Sequence, residues 1–163
     1  MKFVLGHGAF GSAAGMEPFV AGLRARGFEA EAIDLPRGRA ERAVPEFVRR
    51  AGPDVIASGH SFGGRAAGLA ATQAAFAGVV CFSYPLRDRP EERSAHWSRI
   101  GCPVLIVNGD RDKLCDLAEL QRRMSLLREG RLDVIEGLGH DLAARLDLAL
   151  DLAAQFASTL KVR

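Results

Sequence analysis

Gly59-His60-Ser61-Phe62-Gly63-Gly64 sets a hydroxyl between glycines two residues away on either side, the G-x-S-x-G spacing. A serine so flanked can sit on a turn too tight for a neighbouring Cβ, its backbone strained and its oxygen exposed. The chemistry this suits is attack on an acyl carbon. That attack needs a base, a group to orient the base, and hydrogen-bond donors for the oxyanion. His140, in Gly137-Leu138-Gly139-His140-Asp141, is the candidate base, and Asn108-Gly109-Asp110-Arg111-Asp112 supplies two candidate acids. Gly6-His7-Gly8-Ala9-Phe10-Gly11 supplies backbone donors: the amide of Ala9, or that of Phe10, beside the amide of Phe62 that follows the serine. Taken singly, these segments also read as a glycine-rich turn, a surface-loop histidine and a solvated acidic turn. Together, Ser61, Asp112 and His140 stand in the order nucleophile, acid, base.

The elements that must position them alternate along the chain. Residues 2–5, 54–57, 79–82 and 104–107 are short apolar runs, each followed by Gly, Ser or Asn, as expected of strands covered on both faces. Residues 28–33 and 132–136 partly alternate apolar with charged side chains, which predicts two half-exposed edge strands. Between the strands lie helical stripes. Met16, Phe19, Val20 and Leu23 form one, ended by Gly27; Leu117, Leu120, Met124 and Leu127 form a second; the longest runs from Leu142 to Leu160. An Ala- and Gly-rich helix from Phe62 to about Ala75 can approach the sheet closely. The predicted fold is one α/β domain over 1–163, a three-layer doubly wound sheet of about six mostly parallel strands. Every candidate residue then lies on a loop leaving the carboxyl end of a strand, where such sheets gather their sites.

Gly6-x-Gly8-x-x-Gly11 also matches the dinucleotide fingerprint, with Asp34 about 23 residues on as the ribose acid. That reading leaves Ser61, Asp112 and His140 without a use. Composition narrows the classes further. A net charge of +2, with 19 scattered Arg, gives no basic patch for nucleic acid, and one Tyr and one Trp are few rings for stacking bases. Three cysteines without paired spacing argue against a disulfide framework and for a reducing compartment. No leader-like or membrane-length apolar run occurs, so the expectation is a soluble, cytoplasmic domain without membrane contact. His7, His60 and His140 have no metal-ligand spacing.

These segments, with Tyr84-Pro85-Leu86 and Arg65, resemble the α/β-hydrolase superfamily over essentially the whole chain. Within it they look like a compact subfamily that includes the hydrolase-like domain of a subunit of the nonspecific-lethal chromatin complex and is related to dienelactone hydrolases. The resemblance implies Ser61 as nucleophile, His140 as base and then acid, Asp112 rather than Asp110 as the orienting carboxylate, and Ala9 and Phe62 as oxyanion donors. It implies no cofactor. Dienelactone hydrolases use a cysteine where this chain has Ser61, and the chain starts at what would be the family's third strand. Residues 83–103, where lidded relatives insert a cap, have room for a loop and a short helix only. Tyr84, Leu86 and Trp97 there, with Phe10, are candidate walls of an acyl pocket, and Arg65 is a candidate partner for a substrate carboxylate or a structural ion pair. The expected function is a serine hydrolase of small acyl esters with an open site, its partner a small-molecule ester; no oligomeric state follows. The alternative is a catalytically silent module that binds a ligand or protein.

Overall fold

The computed structural model describes residues 1–161. Six strands form a single sheet: β1 (Lys2–Gly6), β2 (Glu29–Ile33), β3 (Gly52–His60), β4 (Phe76–Phe82), β5 (Val104–Gly109) and β6 (Gly130–Ile135). Their order is β2-β1-β3-β4-β5-β6 and every pairing is parallel. The two strands with alternating charge are the edges, because only there does one flank of the ladder stay open to water. Lys2, at the start of β1, pairs with Glu31 on the edge strand β2 at 3.1 Å.

Helices cover both faces. On one lie α1 (Glu17–Ala25) and α6 (Leu146–Thr159), burying Val20, Leu23, Leu150 and Phe156 against Phe3, Leu5, Val80 and Leu105. Arg26 ties these two helices, donating from Nε to Asp151 at 2.7 Å and from its guanidinium to the Gly22 carbonyl at 2.9 Å. On the other face lie α2 (Val44–Val48), α3 (Phe62–Ala70), α4 (Pro90–Ser94) and α5 (Leu117–Arg123). Phe47, Ala66, Ala67 and Leu120 pack there against Val4, Ala57, Val79 and Ile106.

Three departures from the expected pattern bear on the layers around the site. Helix α3 stops at Ala70 rather than Ala75, because the chain must turn back to start β4 at Phe76; the Thr72 hydroxyl closes the end on the Leu69 carbonyl at 2.8 Å. Helix α2 carries no stripe in the sequence, being five residues with Pro45 in its first turn, too short for a 3.6-residue repeat to register. Residues 83–103 form α4 and a 3-10 turn at Trp97–Arg99, and they lie on the sheet face. Tyr84 and Trp97 are fully buried, their rings edge-to-face at 5.2 Å, with the Tyr84 hydroxyl donating to the Arg93 carbonyl at 2.6 Å. They are core of this layer.

His96 in the same segment is buried, with its Nε2 unpartnered, and burial, followed by the Arg65 and Arg99 charges, holds its pKa down to about 4 from the ordinary 6.5. The unfolded chain therefore takes up this proton first. The contribution is complete above pH 6.5 and is lost as pH falls toward 4, reaching roughly 3 kcal/mol. In urea melts across that range, wild type should lose about 3 kcal/mol relative to His96→Leu as the pH drops. Parallel curves would show that folding leaves the His96 pKa unchanged.

Candidate active site

Strand β3 ends at His60, and Ser61 makes the turn into α3 with φ +52° and ψ −110°. That conformation costs about 1–3 kcal/mol for a residue with a Cβ and persists only where the surroundings hold it. Here the Ser61 amide continues the sheet, donating to the Phe82 carbonyl at 2.8 Å, and the Ser61 carbonyl accepts the first helical bond from Arg65 at 3.2 Å. The amides of Phe62, Gly63 and Gly64 come before the first helical donor, Arg65, so they have no acceptor within the helix and lie at its positive end. Glycines allow this approach. A Cβ on Gly63 would lie 2.2 Å from the Gly6 carbonyl oxygen of β1, and one on Gly59 would lie 2.5 Å from the Gly63 carbonyl carbon.

His140 comes from the loop after β6 and Asp112 from the loop after β5. His140 Nδ1–H donates to Asp112 Oδ2 at 2.8 Å. Asp112 is buried, and its oxygens are saturated by further donors: the Asn108 side-chain amide on Oδ2 at 3.2 Å and the Leu114 amide on Oδ1 at 2.8 Å. With Nδ1 donating, the neutral ring leaves Nε2 as its acceptor. Asp110 is placed elsewhere, accepting the Gly137 amide at 2.7 Å and so pinning the turn before the His140 loop. Ser61 and His140 line one cleft of about 490 Å³, together with Gly8, Ala9 and Phe10. A larger cavity of about 590 Å³ opens at the other end of the sheet, between Pro53, Phe76, Pro103 and Leu160, and holds none of the candidate residues.

The loop after β1 bends over this cleft in a tight turn, Gly11 N–H donating to the Gly8 carbonyl at 2.9 Å, which leaves Ala9 and Phe10 at its tip. His7 bolts the loop down. Its Nδ1–H donates to the Gly8 carbonyl at 2.7 Å while Nε2 accepts the Leu35 amide at 2.9 Å. Asp34 accepts the Ala13 amide at 2.7 Å, and only a 3-10 turn at Ala13–Met16 follows the loop, with α1 starting at Glu17. The dinucleotide arrangement, a helix opening on the glycines and a free acid at the end of β2, is not formed.

Three residues without an assigned part in the sequence reading support the site. Asn108 bridges strands, accepting the Tyr84 amide at 2.7 Å while holding Asp112. His60 donates from Nε2 to the His140 carbonyl at 3.0 Å, with the two rings 5.0 Å apart. Burial lowers the His60 pKa from 6.5, against the raising effect of that hydrogen bond, so His60 is held neutral beside the second ring. Leu114 stands on the cleft mouth. Asn108 and His60 lie inside the motifs themselves, and their contacts with other loops are what the sequence could not display.

Three predicted pocket residues are corrected. Tyr84, Leu86 and Trp97 do not line the cleft, since their side chains turn into the core layer beneath residues 83–103; Phe10 does line it. Arg65 does not line it either. It lies beside the buried Tyr84 hydroxyl and His96, and no carboxylate among the described residues pairs with it. Cys115 precedes α5, whose N-cap is Asp116, and burial pushes its thiol up to about 12, too high for a thiolate. Among the described residues no group of three or more His, Cys, Asp or Glu is placed to hold a metal ion, and no helix is long and apolar enough to cross a membrane.

Among solved structures the chain is similar to E-2-(acetamidomethylene)succinate hydrolase, with TM-score 0.80 and 18% identity over 98% of this chain and 92% of that one. It is similar to the monoacylglycerol lipase of Paleococcus ferrophilus, with TM-score 0.80 and 17% identity over 96% and 93%. It is also similar to the dienelactone hydrolase of Anabaena variabilis, with TM-score 0.78 and 21% identity over 98% and 87%. At these identities the likeness is one of fold. No curated protein matches the sequence. The narrower resemblance to the chromatin-complex subunit is not carried by these matches. A family model described as "Alpha/beta hydrolase domain" matches residues 37–161, most of the chain, and the protein belongs to that α/β-hydrolase family.

Proposed function

We propose that this α/β hydrolase is a cofactor-independent serine hydrolase acting on carboxylic esters. The observation that carries the reading is the hydrogen bond from His140 Nδ1 to buried Asp112, in the cleft that also holds the strained Ser61. A scaffold has no physical need of an imidazole held by a buried carboxylate in the same cleft as a serine on a turn of this kind.

In the proposed reaction Ser61 Oγ attacks the ester carbonyl as His140 Nε2 takes its proton. The carbonyl oxygen becomes the oxyanion, met by the amides of Ala9 and Phe62, and each such donor contributes about 3–4 kcal/mol to the barrier reduction. Collapse breaks the acyl–oxygen bond, and the alcohol leaves with the proton from His140. Water then attacks the acyl-enzyme with His140 again as base, releasing the acid and restoring Ser61. Asp112 stays ionised and stabilises the imidazolium formed in each half. Hydrolases, lipases and an esterase among the fold's neighbours fit this chemistry without fixing the substrate.

A fluorophosphonate probe tests it directly, because it phosphonylates only an activated serine. Wild type should be labelled and Ser61→Ala should not. An unlabelled wild type, or equal labelling of the variant, would leave the catalytically silent binding module as the better reading.

A further inference from the structure

Resting on the serine-hydrolase reading, we infer that the cleft selects neutral esters with an apolar acyl chain and rejects esters bearing a carboxylate on that chain. Four large apolar side chains are exposed among the described residues, and two of them, Phe10 at 96% and Leu114 at 47%, stand on the mouth of this one cleft. Single exposed apolar residues mean little, but two on one mouth make a surface that a bound chain would cover. The inner wall continues it with Met16, Phe19 and Leu142.

The charges point the same way. No Lys or Arg lines the cleft, in a chain with 22 of them, and Asp141 is its only formally charged residue that is not a histidine. A carboxylate on the acyl arm would leave water for apolar walls, with no cation to replace its hydration and Asp141 to repel it. The amides of Ala9 and Phe62 are reserved for the oxyanion, and the Ser12 hydroxyl in the cleft is a neutral donor that supplies no positive charge. Arg65, the side chain whose sequence position suggested a carboxylate clamp, faces Tyr84 and His96 instead.

A matched pair of esters reads this out on the full chain: p-nitrophenyl hexanoate and mono-p-nitrophenyl adipate, which differ only in a terminal methyl against a terminal carboxylate. The hexanoate should have the higher kcat/KM by about tenfold or more. Asp141→Asn should narrow the ratio about threefold, Asp141→Lys should narrow it further, and added salt should narrow it in wild type. Phe10→Ser and Leu114→Ser should each lower the hexanoate value about three- to tenfold while changing p-nitrophenyl acetate less. Equal rates on the two esters, or a preference that survives all four substitutions, would overturn the assignment. The two readings fail differently. Ser61-dependent turnover without selectivity removes only this inference, whereas no turnover and no fluorophosphonate labelling removes the hydrolase reading and this one with it.

Discussion

Asp112→Asn is expected to lower kcat on a short-chain ester by about four orders of magnitude while shifting the thermal midpoint by only a few degrees. Three donors converge on this carboxylate: the His140 ring and the Asn108 amide on Oδ2, and the Leu114 amide on Oδ1. An amide in its place has one acceptor and one donor end. With the oxygen toward Leu114, the NH₂ meets the Asn108 NH₂ and can be accommodated by His140 only if the ring gives up its Nδ1 proton. That tautomer carries its proton on Nε2, where the base must be free. With the amide turned over, His140 keeps its bond but the Leu114 amide faces a second donor and the loop holding the residue loses its anchor. Either way an essential hydrogen bond goes. Pre-steady-state ester hydrolysis with circular dichroism separates the effects. A fall of less than about tenfold in kcat with intact folding would show that Asp112 is not the orienting group.

The largest effect on folding is expected from Gly63→Ala, a change that would be mildly favourable in most helices. A methyl at this position would stand 2.2 Å from the Gly6 oxygen and 2.4 Å from its carbonyl carbon. Both are backbone atoms of β1, a strand hydrogen-bonded on both sides, so no flexible side chain can move aside. Relief requires α3 to lift from the sheet, opening the Ala66, Ala67 and Ala70 contacts beneath it and releasing Ser61 from its turn. The cost should exceed about 5 kcal/mol, enough to remove most of the stability of a domain. Gly101→Ala is the comparison, since a Cβ there meets nothing within 4 Å and should change stability by less than about 0.5 kcal/mol. Chemical melts of both proteins check this, and soluble, cooperatively folding Gly63→Ala of near-normal stability would show that the helix has slack at the elbow.

The layered order of the chain was legible because each strand type leaves its own pattern. Strands β1, β3, β4 and β5 are covered on both faces and read as apolar runs; β2 and β6 have an open edge and alternate with charge. Motif spacing on such a scaffold put Ser61, Asp112 and His140 on loops at one end of the sheet. Where local sequence under-determines geometry the reading ran out. Helix α2 is shorter than the repeat that would betray it. Tyr84 and Trp97 carry the same residue types whether a loop turns its rings toward a cleft or under itself, and the buried hydroxyl bond to Arg93 is what turns them inward.

What the sequence determined by itself, then, was the sheet with its edges and the set of residue types available for acyl chemistry, because periodicity and turn chemistry are local. The tertiary structure decided between Asp112 and Asp110 as the neighbour of His140, through a backbone turn that sends one carboxylate to the imidazole and the other to the Gly137 amide. It decided that His60, Asn108 and His7 brace the site, and that Phe10 and Leu114 line the cleft while Arg65 does not. The contacts that tie one loop to another, among them Asn108 to Tyr84, His7 to Leu35 and His60 to His140, join residues from 24 to 80 apart, and such distances close only when six strands lie in register.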